Sequence, residues 1–254
     1  MKSTTLLFQM AGCALTASLL AMRSSDPSAQ AVPGRQVPRS FRLPGAPDGR
    51  GRLDYLLFLP ASYGVDPGKR WPLILFLHGR GETGTNLKRL KAHGIPKKVE
   101  KQPGFPFIAV SPQCPYEYCW RYELPTLNAL LDGVVATYAV DTRRIYVTGL
   151  SMGGFGAWAL ASLYPERFAA VVPVCGGGDP ETVCNLKDVP VWAFHGALDE
   201  QVAPDYSQRM VDALQACGGN VRFTLYPDLA HDSWTRTYDD PALYEWLLQQ
   251  HKSR

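Results

Sequence analysis

The sequence predicts an α/β protein, a mostly parallel sheet with helices on both of its faces. Three observations carry this. Apolar runs such as Trp71-Pro-Leu-Ile-Leu-Phe-Leu77 read as strands buried on both sides, as in a parallel sheet. They alternate with segments whose apolar residues fall at helical spacing, the clearest being Leu124, Leu127, Leu131, Val134 and Val135. Between a β-branched run, Ile145 to Val147, and a stretch rich in small residues stands Gly149-Leu-Ser-Met-Gly153, the pattern of a sharp strand-to-helix turn.

Taken in order, residues 32–52 are rich in Pro, Gly and Arg and predict an edge strand. Leu53–Leu59 is a strand stopped by Pro60, and Ser62–Arg70 is a loop of turn residues. The strand from Trp71 ends in the glycine-rich loop His78–Gly84. Phe107–Ser111 is the next strand, followed by a loop carrying Tyr116, Tyr118, Trp120 and Tyr122. An amphipathic helix from Leu124 to Tyr138 precedes the Ser151 strand, and the helix after Ser151 runs to Pro165. Further strands are expected at Ala170–Val174, Val191–His195 and Val221–Tyr226. Tyr206, Met210, Leu214 and Cys217 mark a helix closed by Gly218. Asp240 caps a final helix that opens on Pro241 and turns Leu243, Trp246 and Leu247 to one face.

The 254 residues suffice for one large domain, read as 32–254. A hydrophobic content of 46% against 19% charged residues is that of a core-forming chain. Residues 1–31 read as a signal peptide. Lys2 precedes an apolar stretch from Leu6 to Met22, and Ala29-Gln-Ala31 fits cleavage before Val32. The expected location is therefore secreted or periplasmic, with no stable membrane association after cleavage. The formal charge is +3, or +2 without Lys2, Arg23 and Asp26, which argues against a nucleic-acid partner.

Five cysteines remain after the leader, so some should pair and at least one should be free. Cys114–Cys119 and Cys175–Cys184 are the plausible local pairs. Cys217, on the apolar stripe of its helix, is expected as a buried thiol. No metal-ligand spacing of His and Cys occurs, so neither metal nor cofactor is expected.

The strand-to-helix turn holds Ser151 out at the bend, and glycine on both sides avoids collision with strand and helix. A serine hydroxyl needs a base and an acid that orients the base. In a parallel sheet reactive groups collect where strands end. Asp199 stands in the turn after Val191–His195, and His231 stands in the loop after Val221–Tyr226. Ser151 is read as nucleophile, His231 as base and Asp199 as orienting acid. Asp179, Asp228 and Asp232 are weaker rivals. His78 and His195 are read as structural, and His93 as a surface residue. A tetrahedral intermediate needs two preset N–H donors, expected from Met152 and Arg80. Glu82 is a candidate brace for the Arg80 loop. Trp120 is a candidate wall of a substrate pocket, with packing against the sheet as the other account.

These residues resemble a known family. Leu77-His-Gly-Arg-Gly-Glu-Thr-Gly84, Ser111-Pro-Gln-Cys-Pro115, the Ser151 turn, His195-Gly-Ala-Leu-Asp199 and His231-Asp-Ser-Trp234 are similar to secreted α/β-hydrolases. The group includes polyhydroxybutyrate-depolymerase-like, feruloyl-esterase-like and "predicted peptidase" proteins. The resemblance implies a serine esterase working through an acyl-enzyme on small or polymer-attached esters. A peptidase on the same machinery is the first alternative, and a non-catalytic binding protein the second. Residues 175–190 are too few for the helical cap that many such proteins carry, so an uncapped fold with short-chain or aromatic acyl preference is expected.

Overall fold

The computed structural model of the chain describes residues 31–46, 51–116 and 119–252, without the side chain of Cys119. The predicted leader, apart from Ala31, lies outside these residues, as does Tyr118.

Eight strands form one sheet: β1 (Gln36–Arg42), β2 (Arg52–Phe58), β3 (Trp71–Leu77), β4 (Ile108–Pro112), β5 (Val140–Leu150), β6 (Ala170–Val174), β7 (Val191–Gly196) and β8 (Val221–Tyr226). Their spatial order is β1-β2-β4-β3-β5-β6-β7-β8. β1 and β2 run antiparallel at one edge, and every pairing from β4 through β3 to β8 is parallel. All seven residues of β3 are buried, because helices cover both faces at the centre. The β-branched run before Ser151 is the end of a longer strand, since β5 begins at Val140.

The helices divide between the faces. One core joins α2 (Leu124–Thr137), α3 (Met152–Leu163) and α4 (Asp205–Ala216) to the sheet through Leu127, Leu131, Trp158 and Leu214. The other joins α1 (Gly94–Lys101), α5 (Trp234–Asp239) and α6 (Pro241–Gln249) through Ile95, Val99, Tyr238 and Leu247. Asp240 caps α6 as predicted, accepting the Ala242 N–H at 2.9 Å. α1 and α5 were not expected. They are eight and six residues long, too short for an apolar period to repeat.

Among the described residues no cap domain is present. Residues 175–190 cross from β6 to β7 with one 3₁₀ turn, Val183–Leu186.

The cysteine expectations need correction. Cys184 is bonded to Cys217, at the end of α4, and Cys175 is a buried free thiol. Cys114 is in a disulfide, while the side chain of its predicted partner Cys119 lies outside the described residues. α4 packs beside the 175–190 crossover and sets Cys217 next to Cys184, with their Cα atoms 5.9 Å apart. Linking residues 33 apart removes loop-closure entropy from the unfolded chain, worth roughly 4 kcal/mol on the chain-entropy estimate and often less. Cys184→Ser should therefore lower the free energy of unfolding by about 2–4 kcal/mol. Urea melts of the oxidised variant and wild type measure the difference.

Candidate active site

Three strand ends converge at the carboxyl edge of the sheet. β5 delivers Ser151, β7 leads to Asp199 and β8 to His231. Ser151 is held at φ 52°, ψ −118°, and its N–H donates to Val174 O on β6 at 2.9 Å. The strain persists because the flanking backbones leave no alternative. A Cβ on Gly149 or Gly153 would collide with the carbonyl of Gly153 or Leu77 respectively.

The Ser151 hydroxyl lies 3.0 Å from His231 Nε2, and His231 Nδ1 lies 2.7 Å from Asp199 Oδ2. In the tautomer that satisfies both contacts, Nδ1–H donates to the carboxylate and Nε2 accepts from the serine. The Asp199 side chain is fully buried. Burial pushes its carboxyl pKa up, but hydrogen bonds from His231 and from the Val202 and Gln201 N–H groups outweigh this and hold it below the ordinary value. The acid is therefore an anion fixed on three sides.

The rival acids do not reach the histidine. Asp228 pairs with Arg236 on the surface, Asp232 caps the turn into α5, and Asp179 accepts the Glu181 N–H.

His195 is structural, as expected, but its partners include more than backbone. Its Nε2 lies 3.1 Å from Asp199 Oδ2 and 2.9 Å from Val202 O. Burial lowers its pKa; Nε2–H donates to these oxygens, and Nδ1 lies 2.7 Å from the Ser207 hydroxyl, which itself donates to Gly176 O at 2.6 Å. Asp199 is thus gripped by two histidines: His231 continues to Ser151 at the strand-to-helix turn, and His195 to the fully buried Ser207.

Met152 and Arg80 each open a helical turn, where backbone N–H groups lack intrahelical acceptors. The loop carrying Arg80 is braced from every side. Glu82, buried, accepts the Gly79 N–H at 3.1 Å. Arg89 donates to Thr83 O and Gly81 O. Burial lowers the His78 pKa to about 4, which leaves the ring neutral. Its Nε2 accepts the Cys114 N–H at 2.8 Å, and Nδ1–H donates to Gly79 O at 2.5 Å. Trp120 belongs to this bracing: its indole is 1% exposed and donates to His78 O at 3.0 Å. No face of it is open to a ligand, so the packing account replaces the pocket wall.

Two side chains stand beside the site where the sequence reading gave them no place. Trp234 packs edge-to-face on His231, with ring centroids 5.2 Å apart, and its indole N–H donates to His93 Nδ1 at 3.3 Å. His93, at the surface with its side chain 36% exposed, packs edge-to-face on Trp234. Cys175 lies next to these side chains, its Sγ within 4.8 Å of an Asp199 carboxylate oxygen and a His231 ring nitrogen. Those two are already engaged with each other. Burial pushes the thiol up to about 12, so it is protonated at neutral pH.

A serine, an imidazole and a buried carboxylate in line, at the carboxyl edge of a sheet of this topology, define an α/β-hydrolase. Comparison with known proteins agrees with that fold: residues 123–245 match the Dienelactone hydrolase family. A solved thermostable esterase is 32% identical with a TM-score of 0.75, covering 87% of this chain and 64% of its own. Acetylxylan esterase A of Aspergillus oryzae is 25% identical over 245 residues, which cover 85% of this chain and 74% of the relative. A poly(3-hydroxybutyrate) depolymerase of Ralstonia pickettii is 28% identical over 157 residues, covering 55% and 32%. The chain thus spans a third to three quarters of the length of these relatives, which group it with carboxylic ester hydrolases.

Proposed function

We propose that this protein is a secreted or periplasmic serine esterase that hydrolyses carboxylic esters through an acyl-enzyme. One observation carries the reading: the unbroken line from Ser151 Oγ through His231 to the buried Asp199 carboxylate. Ser151 Oγ attacks the ester carbonyl as His231 Nε2 takes its proton, and Asp199 stabilises the imidazolium that results. The backbone N–H groups of Met152 and Arg80 bind the oxyanion. Collapse expels the alcohol, protonated by His231. A water molecule, deprotonated by the same nitrogen, then releases the acid and frees Ser151. No cofactor enters these steps. Secretion rests on the leader at residues 1–31. Among the described residues no helix is long and apolar enough to cross a membrane.

The substrates are esters of short or aromatic acids, free or attached to polymers. This rests on the bare crossover at residues 175–190, which leaves little apolar cover for a long acyl chain. Each methylene left in water forgoes roughly 0.8 kcal/mol of burial. The value of kcat/KM should accordingly be highest for acetyl to butyryl or aromatic esters, and should fall for palmitoyl esters with no jump at an oil–water interface. An acyl series of one alcohol, run with and without the interface, tests this. A steady rise toward long chains would contradict it, and failure to cleave any ester would contradict the function itself.

A further inference from the structure

A cleft of about 180 Å³ lies beside the triad, between α1 and α5. Trp234 lines it, and its ring packs edge-to-face on both His231 and His93. Its α1 wall carries Lys97, Lys98 and Lys101. Lys98 is committed: it donates to Tyr238 O at 3.0 Å and lies over the Tyr244 ring. Lys97 and Lys101 are four residues apart, hence on one face of the helix, and both are exposed. Among the described residues neither forms an ion pair, whereas neighbouring Glu100 is taken by Lys91 at 2.9 Å. Asp239, exposed on the opposite wall, is the single acid lining the cleft and leaves it net positive.

The place of Trp234 decides which part of a substrate meets this charge. His231 hands its proton to the departing alcohol oxygen, so the alcohol leaves on the histidine side. A ring packed against His231 therefore borders the alcohol and not the acyl group. We propose that the cleft is an alcohol-side subsite for esters whose alcohol carries a carboxylate, as in esters of hydroxy acids or uronic acids. Trp234 lines the path from Ser151, and Lys97 and Lys101 hold the carboxylate. The inference rests on the esterase reading and adds the substrate class.

The test uses ω-acetoxycarboxylates of increasing chain length and, for each, the neutral ω-acetoxyamide. Acetate release reports kcat/KM, and the ratio of acid to amide within one protein cancels differences in folding or active fraction. For the wild type at low salt the ratio should exceed one by about threefold to tenfold at the length that reaches the lysines, the range expected for two exposed ion pairs. Salt should lower it. In the K97E/K101E variant it should drop to one or below. A wild-type ratio of one or less at every length, or a raised ratio that the variant leaves intact, would overturn the proposal. Refusal of the whole series while 4-nitrophenyl acetate is cleaved would overturn the subsite alone. Refusal of that ester too would overturn the esterase reading.

Discussion

Ser151→Ala should lower the kcat for ester hydrolysis by about five to six orders of magnitude, the scale on which a triad acting as a unit fails when its nucleophile is lost. Its N–H bond to Val174 O is made by backbone and survives the change. Alanine meets no greater backbone restriction at φ 52° than serine does, so the fold should persist. Oxyanion binding through Met152 and Arg80 would remain, leaving a residual rate roughly 10³–10⁴-fold over water. A fluorophosphonate should label the wild type at Ser151 and leave the variant untouched, and labelling of the variant would identify another nucleophile.

Asp199→Asn should lower kcat on the order of 10⁴-fold, the cost of forcing a triad histidine into the wrong tautomer. The carboxylate oxygens have distinct duties. Oδ1 accepts the Gln201 and Val202 N–H groups, and Oδ2 faces both His231 and His195. An asparagine that keeps the two backbone bonds must turn its NH₂ toward the histidines. His231 then presents a bare Nδ1 and carries its proton on Nε2, where the serine needs an acceptor. The same NH₂ meets the Nε2–H of His195, so that ring must turn or reprotonate as well. Asp228→Asn touches only a surface pair with Arg236 and should change kcat by less than a factor of a few. Activities of Asp199→Asn, Asp179→Asn and Asp228→Asn in one ester assay rank the three acids. A larger loss at Asp228 would remove Asp199 from the triad.

Much of this arrangement was legible in the chain because of one property of parallel sheets. Every parallel strand ends at the same edge, so a residue just past a strand end is placed in space once the strand is recognised. Ser151 and Asp199 follow apolar runs and His231 an alternating one, Val221–Tyr226; each reads as a strand, and no knowledge of packing was needed to gather them. The tight turn at Ser151 was equally local, since the glycines at 149 and 153 announce backbones too close for a Cβ.

Tertiary structure alone decided contacts between segments whose spacing carries no signal. Cys217 sits on a helical stripe that predicts a buried thiol, yet the packing of α4 beside the 175–190 crossover makes it the partner of Cys184. Trp120 looked equally fit for a pocket or the core until the fold seated it beneath His78, 42 residues earlier. Trp234 and His93 stand 141 residues apart, and only the docking of α5 against α1 joins them beside His231. Periodicity and turn chemistry report the direction of a side chain within its own element. What that side chain meets depends on how two distant elements pack, which is settled by the shape and burial of the whole core.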